Sequence, residues 1–263
     1  MSDILQTSVL TPQIFAPNVV AGPIVAPPGA LLWWKAGVET FSDAGVTPAV
    51  DTDPVYQWND QGSSGLDVQQ VNPATRPIYD AVLTGYPALA FTTAGTHYLE
   101  KSGEPTMTGA VTVLAAIYLD ASGGGEIVNV FQVGTAVDNQ LRFAVDAVTD
   151  KLVFGRPYGA GDITSSASVP RSQWVVVAAQ IGPATGATDA YLYPTGTGSG
   201  EGRTLNDDGN HNAGDLWIGR FDSQFFTANM DGGIGEILIY GSELNGADML
   251  QALAYLEQQH GLL

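Results

Sequence analysis

The sequence predicts an all-β protein: an antiparallel sandwich with one C-terminal helix and an extended N-terminal arm. The chain of 263 residues holds 32 glycines and 15 prolines without a regular period, which favours turns over helices. From residue 31 onward, short segments rich in β-branched and aromatic residues recur, each bounded by Gly, Asp, Asn, Ser or Pro. Because no long helical pattern separates these segments, they are typical of an antiparallel sandwich.

Residues 1–29 form the predicted arm, and residues 30–263 form one domain. Prolines at positions 12, 17, 23, 27 and 28 are too closely spaced for a helix. The apolar side chains between them would be costly in water, so we expect the arm to lie on another surface. The residues expected to make this contact are Ile14, Phe15, Val19, Val20, Ile24 and Val25. That surface belongs either to a neighbouring subunit or to the domain itself, as a packed strand pair.

Eight segments after the arm are predicted to be clear strands. They are 111–120, 126–134, 141–147, 151–156, 173–182, 189–196, 215–221 and 234–244. Residues 175–177 are apolar on both faces, which indicates a central strand. Residues 190–193 alternate apolar side chains with tyrosines, which predicts a strand with one wetter face.

The last element is the predicted helix. Asn245 can cap its N-terminus, Asp248 lies in its first turn, and Gly261 would end it. Its apolar residues recur at helical spacing: Met249, Leu250, Leu253 and Leu256. We expect this amphipathic helix to be a lid that closes the edge of the sandwich or an end of its core, with a partner-binding helix as the alternative.

Charge and composition exclude several classes of function. Nine basic residues against 27 acidic ones give a net charge of −18, which excludes nucleic acid and anionic membranes as partners. The absence of cysteine excludes disulfides, thiolate nucleophiles and zinc–thiolate sites. The N-terminus has no basic region, and prolines interrupt its apolar stretches, so we expect neither a signal peptide nor a membrane span.

Three groups of segments carry a resemblance to a known family. They are residues 31–40, 55–80 and 85–100; then 173–196; then 216–221 with 230–263. Over residues 30–263 the chain is similar to the concanavalin A-like lectin/glucanase superfamily, in its laminin-G-like branch. The resemblance implies a concanavalin A-like jelly roll. It leaves the activity open, because the superfamily includes lectins, adhesins, glycosidases and virion proteins.

The same residues show no catalytic constellation. Hydrolysis of a glycosidic bond needs two carboxylates across that bond, which the glucanase branch places on alternate residues of one strand. Glu236 has apolar Ile234 and Leu238 at those positions, so we expect no catalytic residue and place Glu236 at the surface or against a turn. The three histidines have no serine elbow to act with, and no nucleotide-binding loop occurs.

The densest group of oxygen ligands lies in residues 206–215. The candidate metal ligands are Asp207, Asp208, Asn210 and Asp215, which could hold calcium. The resemblance implies that calcium can accompany a glycan site in this superfamily, with Asp231 as another candidate position. The alternative is an Asx-rich turn, and no cofactor is expected to be required.

Sugar recognition would use aromatic faces with planar polar groups. Phe225 and Phe226 lie in a predicted loop where paired aromatics have no obvious place in the core. Their expected hydrogen-bonding partners are Arg220, Asp222 and Asn229. Further aromatic and basic candidates are Trp33, Trp34, Tyr158, Tyr193 and Arg156. The alternative is that the two phenylalanines pack under the helix or against the arm.

Together these patterns predict a non-enzymatic structural protein on a virion surface, such as a bacteriophage capsid decoration protein. The arm would anchor it to capsid or other virion proteins, with a homo-oligomer expected and the lectin-like domain exposed to bind glycans. We expect no nucleic acid partner and no membrane insertion. The alternatives are a carbohydrate-binding or adhesion module of a secreted bacterial protein and, third, a polysaccharide hydrolase.

Overall fold

Two antiparallel sheets form a sandwich, and one helix covers the outer face of one of them. The computed structural model describes residues 24–92, 94, 96–103, 107–121, 127–133, 141–156, 161–182, 186–196, 200–207, 210–211, 215–222 and 227–263. The predicted sandwich and its C-terminal helix are confirmed.

The elements in chain order are β1 (Leu32–Lys35), β2 (Thr40–Phe41), β3 (Gln57–Trp58), β4 (Val68–Gln69), a 3₁₀ turn (Pro73–Thr75), β5 (Ile78–Leu83), β6 (Tyr86–Phe91), β7 (Leu99–Lys101), β8 (Met107–Thr108), β9 (Val111–Leu119), β10 (Ile127–Val133), β11 (Leu141–Asp146), β12 (Lys151–Arg156), β13 (Gly161–Ser168), β14 (Trp174–Ile181), β15 (Gly186–Tyr193), β16 (Glu201–Asp207), β17 (Asn210–His211), β18 (Leu216–Ile218), β19 (Arg220–Asp222), β20 (Thr227–Asn229), β21 (Gly232–Tyr240) and α1 (Gly246–Gln259).

The two sheets have non-sequential strand orders. The eight-stranded sheet runs β16-β15-β14-β9-β21-β6-β5, and β1 pairs with the second half of β21. The nine-stranded sheet runs β13-β12-β11-β10-β18-β7-β4-β3-β2. Two short ribbons, β8 with β17 and β19 with β20, lie outside these sheets. Strands distant in sequence therefore pair side by side, as in a jelly roll.

The main core lies between the sheets, and a second core lies under the helix. Every residue of β14 and β21 is buried, because these strands are covered on both faces. In β14, Val175 and Val177 belong to the inter-sheet core, whereas Val176 packs beneath α1. The prediction that residues 175–177 lie in a central strand is therefore confirmed.

The helix covers the outer face of the eight-stranded sheet over its central strands, so the prediction that it closes the edge of the sandwich or an end of the core is wrong. The Asn245 side chain accepts hydrogen bonds from the backbone N–H groups of residues 247 and 248, which caps α1. Met249, Leu253 and Leu256 are buried against the sheet. Leu250, also expected on the apolar face, is 55% exposed. No helix in the described ranges is long and apolar enough to span a bilayer.

A β-bulge in β21 changes which side chains face the helix. The register against β9 shifts between Ile234 and Glu236, so Ile234 lies in the inter-sheet core while Leu238 lies under α1. The prediction that Ile234 and Glu236 share a face is therefore wrong. A Cβ at the intervening Gly235 would lie 2.2 Å from the His260 ring, so glycine lets the end of the helix approach.

The last part of the arm packs on the domain. The Ile24 side chain contacts the core under α1, and its N–H donates to Gln258 Oε1 at 2.8 Å. The Pro27 carbonyl accepts a hydrogen bond from the Tyr240 hydroxyl at 3.0 Å. Val25 is 63% exposed. The other predicted contact residues, Ile14, Phe15, Val19 and Val20, lie outside the described residues, so the role of the arm stays a prediction.

Candidate functional site

An open groove lies on the outer face of the eight-stranded sheet, beside the N-terminus of α1. It encloses about 450 Å³. Its lining residues are Gln180, Tyr191, Tyr193, Glu243, Leu244, Asn245, Gly246 and Met249. We call it the tyrosine groove.

Strand register brings the tyrosine groove together. Tyr191 lies opposite Gln180 of β14, and Tyr193 lies opposite Ala178. The alternating residues Ala190 and Leu192 point into the inter-sheet core. The tyrosines therefore face outward, and the predicted wetter face of this strand is confirmed. Because α1 packs over β9, β14 and β21, the tyrosines lie beside the helix and stay partly exposed.

Both tyrosine rings lie against glycines of the neighbouring strand region. A Cβ at Gly200 would lie 2.6 Å from Cζ of Tyr193, and one at Gly202 would lie 3.8 Å from Cε1 of Tyr191. The Tyr193 ring therefore occupies the space that a side chain at position 200 would fill. This arrangement supports a flat aromatic surface at the edge of the groove.

Polar groups with unused hydrogen-bonding capacity surround the rings. Gln180 is 5% exposed, and its Nε2 donates to Glu243 Oε1 at 3.3 Å. Its Oε1 accepts no hydrogen bond from the described residues. Burial, and then the charges of Tyr191 and Glu243, raise the pKa of Tyr193, so its hydroxyl stays protonated and can donate. The groove thus offers both donors and acceptors to a ligand.

A second groove, of about 600 Å³, lies where the arm meets the domain. Its lining residues are Val25, Ala26, Pro27, Pro28, Gly29, Ala30, Trp33, Gln61, Gly62, Ser63 and Tyr255. We call it the arm groove. Asp60 accepts hydrogen bonds from the N–H groups of Trp33 and Gly62, each at 2.7 Å, which fixes the turn at its edge. The adjoining Trp58 is fully buried, so this turn places a tryptophan in the core.

Glu236 lies on the helix side of β21, fully buried beneath α1. Its Oε1 accepts hydrogen bonds from Trp33 Nε1 at 2.7 Å and from the Tyr255 hydroxyl at 2.9 Å. Lys35 Nζ and His260 Nε2 lie 3.6 and 3.7 Å from its Oε2. The prediction of a surface position is therefore wrong, because the helix covers this carboxylate. Glu236 is not among the described residues that line either groove.

The predicted ligand residues partly converge. Arg220, Asp222 and Asn229 lie in the β19–β20 ribbon, where Arg220 pairs with Asn229. The Arg220 guanidinium lies 4.7 Å from the centre of the Tyr98 ring. Phe225 and Phe226 lie outside the described residues, so their role stays a prediction. Of the other candidates, Trp34 is fully buried. Trp33 lines the arm groove, and Tyr193 lines the tyrosine groove. Tyr158 lies outside the described residues.

The predicted metal ligands are only partly described. Asp207 ends β16 and Asn210 begins β17, whereas Asp208 lies outside the described ranges. Asp215 Oδ1 accepts hydrogen bonds from Ser102 Oγ at 2.8 Å and from the Gly103 N–H at 3.1 Å, which fits the turn interpretation. Within the described ranges no three acidic or histidine side chains converge on a metal position.

Most residues of the tyrosine groove were not predicted from the sequence. Tyr193 was a sugar-binding candidate, but Tyr191, Gln180 and Glu243 were not. A signal was present in the alternating residues 190–193 and in the glycines at 200 and 202. The missing information was three-dimensional, because Gln180 and Glu243 are 63 positions apart and meet only when β14 and β21 both pair with β9.

Comparisons with known proteins agree with this architecture. The family described as concanavalin A-like lectin/glucanases superfamily matches residues 93–249, more than half of the chain. No curated protein sequence matches. A mutant GH54 α-L-arabinofuranosidase soaked with 4-nitrophenyl α-L-arabinofuranoside shares 11% identity at a TM-score of 0.54, over 89% of this chain and 60% of that one.

Two further solved structures are similar at low identity. An arabinofuranosidase complexed with arabinofuranosyl-α-1,2-xylobiose shares 12% identity at a TM-score of 0.53, again over 89% of this chain and 60% of that one. A Trypanosoma rangeli sialidase shares 14% identity at a TM-score of 0.49, over 87% of this chain and 33% of that one. The chain thus spans only part of these enzymes, and the likeness concerns the fold. By its family match and its fold, the chain belongs to the concanavalin A-like lectin/glucanase superfamily.

Proposed function

We propose that the chain is a non-catalytic domain that binds carbohydrate in the tyrosine groove. The observation that carries the proposal is the placement of two partly exposed tyrosines beside Gln180, whose Oε1 has no partner among the described residues. Aromatic surfaces combined with a few fixed polar groups are what ligand sites use to hold and orient a small molecule. Membership of a lectin-containing superfamily supports the same conclusion.

The carboxylates of the described residues support binding without hydrolysis. A glycosidase places two carboxyl groups about 5 to 9.5 Å apart across the scissile bond. The described residues that line the tyrosine groove include a single carboxylate, Glu243. Glu236 is buried under α1 and already accepts hydrogen bonds from Trp33 and Tyr255. Neither residue has a second carboxylate to act with in this groove.

We further propose that this domain is displayed on a virus particle, as a capsid decoration protein of a bacteriophage. The apolar arm supports an anchoring role, since its side chains need a surface to cover them. The net charge of −18 supports a domain that stays soluble and separated from its neighbours. Detection of the chain in purified particles would support this setting. Recovery only from the culture medium would favour a secreted module.

A binding experiment tests the glycan proposal. The intact protein is applied to a glycan array together with the double variant Tyr191→Ala/Tyr193→Ala. The matched control is Tyr56→Ala, which removes a partly exposed tyrosine that stacks on Arg76 away from the groove. We expect the double variant to lose retention while the control keeps it, because aromatic contacts carry much of a site's binding energy. Equal retention by all three proteins would refute the proposed site, as would failure of the intact protein to bind any glycan.

A further inference from the structure

We infer that the tyrosine groove selects neutral sugars and rejects acidic ones such as sialic acids and uronic acids. This inference rests on the proposed function and adds the chemical class of the ligand. It follows from three features of the described residues: the charges that line the groove, the capping of the adjacent helix, and the balance of donors and acceptors.

The first feature is the charge of the lining. Among the described residues of the lining, Glu243 is the one formally charged side chain, and Lys, Arg and His are absent. A sugar carboxylate is normally held by charge-assisted hydrogen bonds, above all from the planar guanidinium of arginine. Here an acidic sugar would instead meet a negative charge, in a protein whose net charge is −18.

The helix N-terminus at the groove does not reverse this preference. A helix N-terminus carries roughly half a positive charge and would by itself attract an anion. In α1, however, Asn245 Oδ1 already accepts from the N–H groups of Ala247 and Asp248. The Asp248 carboxylate lies in the first turn and accepts a hydrogen bond from Asn245 Nδ2. The partial positive charge at the N-terminus of α1 is thus compensated by Asn245 and Asp248 of the chain itself.

A basic group in a hollow that shares Tyr191 with the groove is also paired with a carboxylate. This hollow, of about 430 Å³, is lined by Tyr191, Gly202, Arg203 and Thr204. The Arg203 guanidinium donates to Glu201 Oε2 at 2.7 Å, as well as to Ser166 Oγ and the Thr164 carbonyl. Because its charge and donors are engaged, Arg203 offers no ready partner to an acidic sugar.

The remaining groups fit sugar hydroxyls. The hydroxyls of Tyr191 and Tyr193 make no hydrogen bond to any described residue, and they can donate or accept. Gln180 Oε1 and the Glu243 carboxylate are acceptors. A sugar hydroxyl both donates and accepts, so it can satisfy each of these groups, whereas a carboxylate can only accept. The shared position of Tyr191 between two hollows also suits an oligosaccharide longer than one residue.

Isothermal titration with matched neutral and acidic oligosaccharides tests the inference. The probe pairs are lactose with sialyllactose, and xylohexaose with xylohexaose carrying glucuronic acid. We expect the better-bound neutral member to bind about fivefold or more tightly than its acidic partner, as one nearby like charge implies at low salt. The difference should shrink in Glu243→Gln, which keeps the shape and acceptor oxygen of the side chain. The control Glu39→Gln, at an exposed glutamate, should not change it.

The outcomes separate this inference from the proposed function. Tighter binding of the acidic members, lost in Tyr191→Ala/Tyr193→Ala, would overturn the neutral selectivity but leave carbohydrate binding in the groove intact. Equal binding of both members by the intact protein would also overturn the selectivity. If no oligosaccharide binds in the titration or on the glycan array, the proposed function and the inference both fail.

Discussion

At the scale of single residues, the buried Glu236 determines how the helix joins the sheet. Removing a carboxylate from water costs several kcal/mol unless charged or hydrogen-bonding partners replace the water. Glu236 receives hydrogen bonds from Trp33 of β1 and Tyr255 of α1, with Lys35 and His260 nearby. One side chain therefore connects β1, β21 and α1. Burial, then the charge of Glu236 and the hydrogen bond to it, raise the pKa of Tyr255.

The first prediction concerns this connection. Glu236→Gln should lower the free energy of unfolding by about 1.5–3 kcal/mol, the contribution of hydrogen bonds to a charged group. Tyr255→Phe should lower it by a smaller amount, and the double variant should lose less than the sum of the two single losses. Urea denaturation of the four proteins measures these differences. Strictly additive losses would show that the two side chains are not energetically coupled.

The second prediction concerns the alkaline limit of stability. Burial, then the charges of Asp248 and Glu236, raise the pKa of Tyr240 from 10 to about 12. Between these values the unfolded chain loses the proton and the folded chain keeps it, so the free energy of unfolding falls as the pH rises. The fall attributable to Tyr240 is up to about 2.7 kcal/mol.

Urea denaturation between pH 9 and 12 measures this effect. Tyr240→Phe should start from a lower stability, because it lacks the hydrogen bond to the Pro27 carbonyl, and should then fall less steeply than the intact protein. Some decline remains in the variant, because Tyr255 has a raised pKa as well. Parallel curves for the two proteins would contradict the assignment to Tyr240.

At the scale of elements, alternation and capping were readable from the sequence, whereas the bulge was not. Asn245 and the apolar spacing after it predict α1 correctly, because local hydrogen bonds and periodicity determine a helix end. The alternation of residues 190–193 predicts the partly exposed tyrosines, because the two-residue period of a strand is also a local pattern. The bulge before Glu236 depends on pairing with β9, so strict alternation placed that carboxylate on the wrong face.

The third prediction uses the glycines beside β15 as a matched pair. Gly200→Ala would place a Cβ 2.6 Å from the Tyr193 ring, so the ring must move. Gly202→Ala would place one 3.8 Å from the Tyr191 ring, an ordinary contact. We expect glycan affinity to fall at least about tenfold in Gly200→Ala, or 1.4 kcal/mol, and to change little in Gly202→Ala.

Titration calorimetry measures the affinities of this pair, and thermal unfolding controls for the fold. Both variants should melt close to the intact protein, since the affected ring lies at the end of a partly exposed side chain. Equal affinity in the two variants would show that the position of the Tyr193 ring does not determine binding.

At the scale of the whole molecule, the boundary between arm and domain decides what a truncation removes. Residues from Ile24 onward contact the core under α1 and bond to Gln258 and Tyr240. Deletion of residues 1–29 should therefore lower the free energy of unfolding by about 4 kcal/mol, because it removes three hydrogen bonds and the partial burial of Ile24 and Ala26.

Deletion of residues 1–23 alone distinguishes the two interpretations of the arm. If the arm covers a neighbouring subunit or virion protein, this truncation should unfold at the same urea concentration as the intact monomer and fail to join the assembly. A stability loss as large as that of the longer deletion would instead show that residues 1–23 pack on the domain itself.

The sequence predicted the architecture of the molecule better than the position of its site. The sandwich and the existence of the helix follow from local patterns in β14, β15 and α1, whereas the place of the helix on the sheet does not. The tyrosine groove combines Gln180 of β14 with Glu243 from the turn before α1, and neither residue stands out in its own segment. The signal available in the sequence was a pair of aromatic residues in a predicted loop, which predicted a sugar site in residues 220–229 instead.

The most direct measurement is an NMR titration of isotope-labelled protein with the neutral oligosaccharide that the array retains best. We expect shifts of the ring signals of Tyr191 and Tyr193 and of the side-chain amide of Gln180, with the sugar signals remaining those of the intact oligosaccharide. Shifts confined to residues 220–229 would place the site at the predicted loop and contradict the tyrosine groove. Appearance of shorter sugars would contradict binding without catalysis.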